Sequence, residues 1–254
     1  MSQFLRKVRV ALTPNGMRLR RVLQDDVIVE GRNRPGWGGR GIYIWGDDLE
    51  PEFKHLAALI DPGSVVIDIG ANTGIYTLRA AARVGPNGVV VALEPFPEMA
   101  ADLYRNVRLN GFTNVRTRCL CAGGVSEAAD LVANFDKPNS FSLLRRDPSA
   151  RAVSVLKMSL DDLVRLERLT RLDYVKIDAE GAEQEILDGG REALGKFRPI
   201  IQAEVTISNI QQVNLEGYLA FRAAFPGGQP SQNTLFVPQE SPKRSLVEQF
   251  GWQR

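Results

Sequence analysis

The apolar residues of this chain fall into short unbroken runs separated by longer stretches with helical spacing. Val65-Val66-Ile67 leads into Asp68 and a turn spaced by Gly70, Asn72 and Gly74, after which Ile75 and Leu78 take up a helical period. The run from Val89 to Leu93 ends at Glu94. Met99, Leu103 and Val107 then form one stripe of a helix predicted over Glu98 to Asn110 and stopped by Gly111. Val115 to Leu120, Val153 to Lys157, Tyr174 to Ile177 and Pro199 to Val205 read as further strands, and Ser159 caps a helix from Leu160 to Leu169. Strands apolar along their whole length are buried on both faces, as in a parallel sheet. Tyr218 to Phe225 and Thr234 to Val237 add a strand pair. The expectation is an α/β fold, a Rossmann-like seven-stranded, mostly parallel sheet with an antiparallel edge strand.

Ahead of this region the pattern changes. Val8, Val10 and Leu12 alternate, Thr13-Pro14-Asn15-Gly16 is a turn, and Val27-Ile28-Val29 follows, which predicts short strands between Val8 and Trp45. A helix is expected from Glu52 to Ile60, with Phe53, Leu56, Ala57 and Ile60 on one face and His55 off it, in solvent. The chain therefore divides into a small β-rich N-terminal extension or cap, residues 1–51, and a main domain, residues 52–254. Arg32 to Gly41 carries three arginines and Trp37 and reads as a loop, either plain surface or a flap that touches substrate. Weak alternation between Gly123 and Arg146, broken at Asp136-Lys137-Pro138-Asn139-Ser140, reads as a hairpin leaning over the site.

Composition narrows the function classes. With 254 residues, a net charge of +2 and 24% charged residues, the chain as a whole projects no strong field toward nucleic acid or an acidic membrane. No run approaches the length of a membrane span and no export signal is seen, so the cytoplasm is the expected compartment. Assembly into a homo-oligomer is left open. Cys119 and Cys121 lie two apart in a predicted strand and read as reduced, buried residues. With His55 the only histidine, a zinc site of the usual kind cannot be assembled within one chain.

The chemistry gathers at predicted strand ends. A dinucleotide fingerprint needs glycines where this chain has Asn72 and Ile75, which disfavours a pyrophosphate and favours an adenosine ligand without phosphates. S-adenosylmethionine is the natural candidate, its amino acid end meeting Asp68 and the loop N–H groups. Glu94, about 20 residues beyond the loop, is placed to accept from a ribose diol. In LDYVKIDAEGAEQEIL, Lys176, Asp178, Glu180 and Glu183 crowd one strand end and the start of the next helix, where carboxylates either cap the helix or border a cationic sulfonium and a substrate hydroxyl.

DIGANTGIYTL, ALEPFPEMAADLYRNVRLNG, SLDDL and YVKIDAEGAEQEIL, in this order, resemble the FkbM-type S-adenosylmethionine-dependent methyltransferases, strongly from Val65 to Val205. The resemblance implies a class I methyltransferase fold and O-methylation of a small molecule such as a sugar or polyketide. It assigns Asp68, Gly70, Asn72 and Gly74 to the methionine portion, Glu94 to the ribose, and Lys176, Asp178, Glu180 and Glu183 to the vicinity of the methyl group. A carboxylate must then take the acceptor proton, Asp178 first and Glu180 next. No resident metal is expected, although Asp178, Glu180 and Glu204 offer oxygen ligands that a magnesium ion could use. The alternatives are a NAD(P)-dependent oxidoreductase, which fails at Asn72 and Ile75, and a non-catalytic S-adenosylmethionine-binding partner protein.

Overall fold

A computed structural model describes residues 2–133, 151–205, 213, 215–224, 228–250 and 252. In chain order the elements are α1 (Gln3–Leu12), β1 (Arg18–Val22), β2 (Ile28–Arg32), α2 (Gly39–Trp45), α3 (Leu56–Leu59), β3 (Val65–Ile69), α4 (Ile75–Val84), β4 (Val89–Leu93) and α5 (Pro97–Leu109). There follow β5 (Val115–Arg118), β6 (Cys121–Gly123), β7 (Glu127–Ala133), β8 (Arg151–Ser159), α6 (Leu160–Leu166), β9 (Tyr174–Ile177), α7 (Glu183–Asp188) and α8 (Arg191–Phe197). The chain continues with β10 (Ile200–Ala203), β11 (Tyr218–Phe221), β12 (Thr234–Pro238) and α9 (Arg244–Gln249).

The apolar runs become the central strands of a seven-stranded sheet in the order β11-β12-β10-β9-β3-β4-β5. Every residue of β3, β9, β10 and β12 is buried, as continuous apolar strands covered on both faces require. β12 pairs antiparallel with both β10 and β11, so the antiparallel strand lies one place inside the edge. This strand order is that of the class I methyltransferase fold. One face packs Val66, Val90, Tyr174 and Ile200 against α4; the other packs Ile67, Val91, Val175 and Ile201 against Leu160, Ile186 and Leu194. Polar positions interrupt the first face. Asp68, Lys176 and Gln202 are register partners across β3, β9 and β10, so they form a row.

The N-terminal extension departs from its sequence reading. Gln3–Leu12 is a helix, not an alternating strand; Phe4, Leu5, Val8 and Leu12 follow a helical period, and Ser2 caps it by accepting from the Leu5 amide. The strand expected around Val27 to Val29 is β2, but its antiparallel partner is β1, Arg18–Val22, a strand that the sequence reading did not place. Of the Arg32–Gly41 stretch only residues 33–38 are loop, since Arg32 ends β2 and Gly39 opens α2, and Trp37 is buried against Phe96 with Arg32 and Arg34 over its ring. The predicted helix over Glu52 to Ile60 is a 3-10 turn followed by α3, with Ala57 exposed. His55 is half-buried rather than solvated, packed against Phe250 and edge-on to Trp252, and burial lowers its pKa.

The third strand stops at Arg118, and Cys121 opens β6 in a separate three-stranded sheet, order β6-β8-β7. The two cysteines therefore do not share a strand, and Cys119 is exposed while Cys121 is buried. β7 and β8 pair antiparallel, as a hairpin would, but Asp136 to Ser140 lies outside the described residues. Among the described residues no helix is long and apolar enough to cross a membrane.

Candidate active site

Two cavities open at the carboxyl ends of β3, β4 and β9 and share Gly70, Asn72 and Asp178. The first, about 270 Å³, is walled by Leu93, Met99, Leu120 and Leu131 and holds Glu94, Glu180 and Glu204. The second, about 420 Å³, lies on the face where the N-terminal extension packs, between Arg34, Arg40 and Glu50 on one side and Asp68, Tyr76 and Lys176 on the other.

The loop after β3 is built for close approach. Gly70 has φ +76°, and a Cβ there would sit 1.9 Å from the Asp178 carbonyl oxygen, so only glycine lets the ends of β3 and β9 come together. Asn72 takes a left-handed φ of 51° and accepts from the Thr73 amide through Oδ1. Its own amide donates to Glu94 Oε2 at 2.8 Å, and the Phe96 amide donates to Oε1 at 2.9 Å. Those two amides orient the Glu94 carboxyl in the cavity; burial nonetheless pushes its pKa up to about 7. Gly74 lines neither cavity. It caps α4 with φ +97° and leaves room for Leu103.

Charged groups of the polar row tune one another. Burial raises the Asp68 carboxyl to about 6, against the pull of the Thr77 hydroxyl, which donates to it at 2.5 Å, and of Lys176. Burial alone would lower the Lys176 ammonium, but Asp178, Glu50, Asp68 and Glu204 more than offset this and hold its pKa above the ordinary value. Lys176 Nζ lies 3.4 Å from Asp178 Oδ2. Burial also works to raise Asp178, yet Lys176 and a hydrogen bond with Glu204 keep it below the usual carboxylate range. Glu204, raised to about 8 by burial and then by Asp178, keeps the proton of the pair at neutral pH. Glu180 lines the first cavity from a left-handed position, φ 53°. Glu183 turns back instead, accepting from the Ala179 and Gly181 amides at 3.1 and 3.2 Å, and so holds the turn rather than the cavity wall.

Sequence reasoning missed the groups behind Lys176. Tyr174 donates to Gln202 Oε1 at 2.5 Å, the Gln202 amide donates to the Tyr76 hydroxyl, and Tyr76 donates to Glu50 Oε2 at 2.5 Å. Asn233 donates to the same Glu50 oxygen at 3.0 Å. One signal was available: Gln202 is a polar residue that interrupts the apolar run of the strand from Pro199 to Val205. Glu204 entered only as a possible metal ligand. Among the described residues no group of three or more His, Cys, Asp or Glu is arranged to hold a metal ion.

Residues 68–225 match the family model described as the Methyltransferase FkbM domain. The chain belongs to this family. It is 26% identical to the 2-O-methyltransferase NoeI of Sinorhizobium fredii over 223 residues, which cover 82% of this chain and 88% of that protein. It is 28% identical to Methyltransferase 1 of Beauveria bassiana over 171 residues, 56% of this chain and 68% of that one. Among solved structures, the FkbM methyltransferase of Methylobacillus flagellatus is similar at 15% identity and a TM-score of 0.49; the alignment covers 79% of this chain and 54% of that one, about half its length. As an FkbM-family enzyme the protein is an S-adenosylmethionine-dependent methyltransferase, and the oxidoreductase alternative falls away.

Proposed function

We propose that this methyltransferase acts on a hydroxyl oxygen of a small molecule, with the donor lying across the two cavities and Asp178 receiving the acceptor's proton. The observation that carries the reading is that Gly70, Asn72 and Asp178 line both cavities, so a ligand passing over the Gly70 loop has Asp178 beside it. The side chains fit the two ends of the donor. Leu93, Met99, Leu120 and Leu131 offer apolar walls to an adenine, and Glu94 offers acceptor oxygens to a ribose diol. In the second cavity Asp68 suits an ammonium and Arg34 and Arg40 suit a carboxylate, while Thr73 Oγ1 is buried with no hydrogen-bond partner among the described residues. Gly74, by opening α4, keeps the loop amides at this end.

When bound, S-adenosylmethionine supplies an electrophilic methyl group on a sulfonium. The protein's part is alignment, worth up to ~7–11 kcal/mol in well-oriented systems, and disposal of the proton. Lys176 keeps Asp178 ionised and ready to accept, Glu204 anchors it by hydrogen bonding, and Glu180, in the same cavity, is the next candidate to take the proton. The oxygen chemistry is supported by the relative in Sinorhizobium fredii, a 2-O-methyltransferase. The cytoplasm is the proposed compartment, in keeping with two free thiols.

Asp178→Asn keeps the shape and removes the proton acceptor. Turnover in a hydroxyl-acceptor screen is expected to fall by about 10²–10⁴, with S-adenosylhomocysteine affinity little changed. Full turnover by this variant would overturn the role given to Asp178.

A further inference from the structure

The net charge of +2 conceals an uneven distribution. Six Lys and Arg and no Asp or Glu fall within residues 1–24, so the remainder of the chain is net acidic. Arg18 and Arg20 in this segment are paired with Asp102 and Glu30. The helix α1 itself carries Arg6, Lys7 and Arg9 and no acidic residue.

α1 also holds its apolar stripe away from the protein. Its inner side is half-buried through Arg6 and Val10, and Arg6 Nη1 donates to the Ile44 carbonyl of α2 at 3.2 Å. On the other side Phe4, Leu5, Val8 and Leu12 fall within roughly 100° of arc, and none is covered: Phe4 is 72% and Leu12 79% exposed. Lys7 and Arg9 flank this stripe, each resting over an aromatic ring of α2, Trp45 and Tyr43 respectively. A solvent-facing apolar stripe on a ten-residue helix has no role in the fold, and none of α1 lines the two cavities of the active site.

We infer that α1 docks this enzyme on the surface of an anionic phospholipid bilayer, the apolar stripe entering the headgroup boundary and the flanking bases meeting lipid phosphates. A helix with apolar residues on one side, bases beside them and no acidic residue is the pattern of an interfacial anchor. The charge distribution selects this occupant over a second copy of the chain. Packing α1 on its own counterpart would bring Lys7 and Arg9 against like charges, whereas an anionic surface matches both the stripe and its flanks. The inference is independent of the acceptor and of the role of Asp178.

The test is co-sedimentation of the full chain with vesicles of phosphatidylcholine alone and of phosphatidylcholine mixed with phosphatidylglycerol. The protein is expected to pellet with the mixed vesicles, to be released as salt is raised, and to stay in solution with phosphatidylcholine alone. Phe4→Ser with Leu12→Ser, and separately Lys7→Glu with Arg9→Glu, are each expected to weaken pelleting by about tenfold or more. All four side chains are exposed, and an unchanged thermal midpoint confirms that each variant is folded. No pelleting of the wild-type chain on anionic vesicles overturns the inference. So does pelleting that is indifferent to the lipid charge, or a self-association in solution that Phe4→Ser with Leu12→Ser abolishes.

Discussion

A buried carboxyl group leaves a record in the pH dependence of stability, and Glu52 is the clearest single case. It is 1% exposed, and burial raises its pKa to about 7, against the opposing pull of Ser231 and Lys176. A carboxyl whose folded pKa is raised stabilises the fold fully below its unfolded value and loses that contribution as pH climbs through the folded one. Asp68, Glu94 and Glu204 are raised in the same way, so the thermal midpoint of the free enzyme is expected to fall between about pH 4.5 and pH 8. Glu52→Gln removes one titration; it should match wild type near pH 4 and exceed it at pH 8, by ~3 kcal/mol at most. A gain of the same size at both pH values would show that Glu52 is not titrating in the fold. At this scale Asp68, Gly70 and Glu94 were legible because a strand, a tight turn and a helix fix their place along the chain. Tyr76, Glu50 and Asn233 were not, because they meet only after distant segments pack.

Among the elements, α5 shows how two stripes on one helix do different work. Met99, Leu103 and Val107 are buried, as their spacing predicted. A second stripe, Asp102, Asn106 and Asn110, faces the N-terminal hairpin. Asp102 binds Arg18 and Arg32, Asn106 exchanges hydrogen bonds with both backbone groups of Glu30, and Asn110 does the same with Ile28. Asn106 also donates to the Thr73 carbonyl at 2.8 Å, which ties the hairpin to the loop after β3. Asn106→Ala leaves these groups unmatched in a fully buried position and is expected to cost ~3 kcal/mol in urea unfolding, with weaker donor binding. A loss under ~1 kcal/mol would mean that water or neighbours replace the side chain. The second stripe was visible as polar residues four apart, but its partner was not. The same lack of context made α1 ambiguous, since Val8, Val10 and Leu12 satisfy a strand period while Phe4, Leu5, Val8 and Leu12 satisfy a helical one.

For the molecule as a whole, the sheet was legible because continuous apolar strands announce burial on both faces. The second cavity was legible only as the flap alternative for Arg32 to Gly41, which lines it through Arg34 and Arg40, because no motif points to the rest of the N-terminal extension. Leu23, Val27, Val29 and Ile42 of that extension share a core with Val66, Leu78 and Val107. Their burial is worth ~6 kcal/mol or more, comparable to the stability of an entire domain. A chain of residues 52–254 alone is therefore expected to lack a cooperative thermal transition; a sharp transition near that of the full chain would show the extension to be dispensable.

The most direct measurement of the central claim is the thermal midpoint of the full chain with S-adenosylhomocysteine and, in parallel, with NAD. At about 100 times its dissociation constant a ligand adds roughly 2.7 kcal/mol, which for a chain of this size raises the midpoint by about 5–10 °C. A shift of that order with S-adenosylhomocysteine and none with NAD is the predicted result. No shift with S-adenosylhomocysteine, or a shift with NAD in its place, would contradict the assignment of the two cavities to the methyl donor.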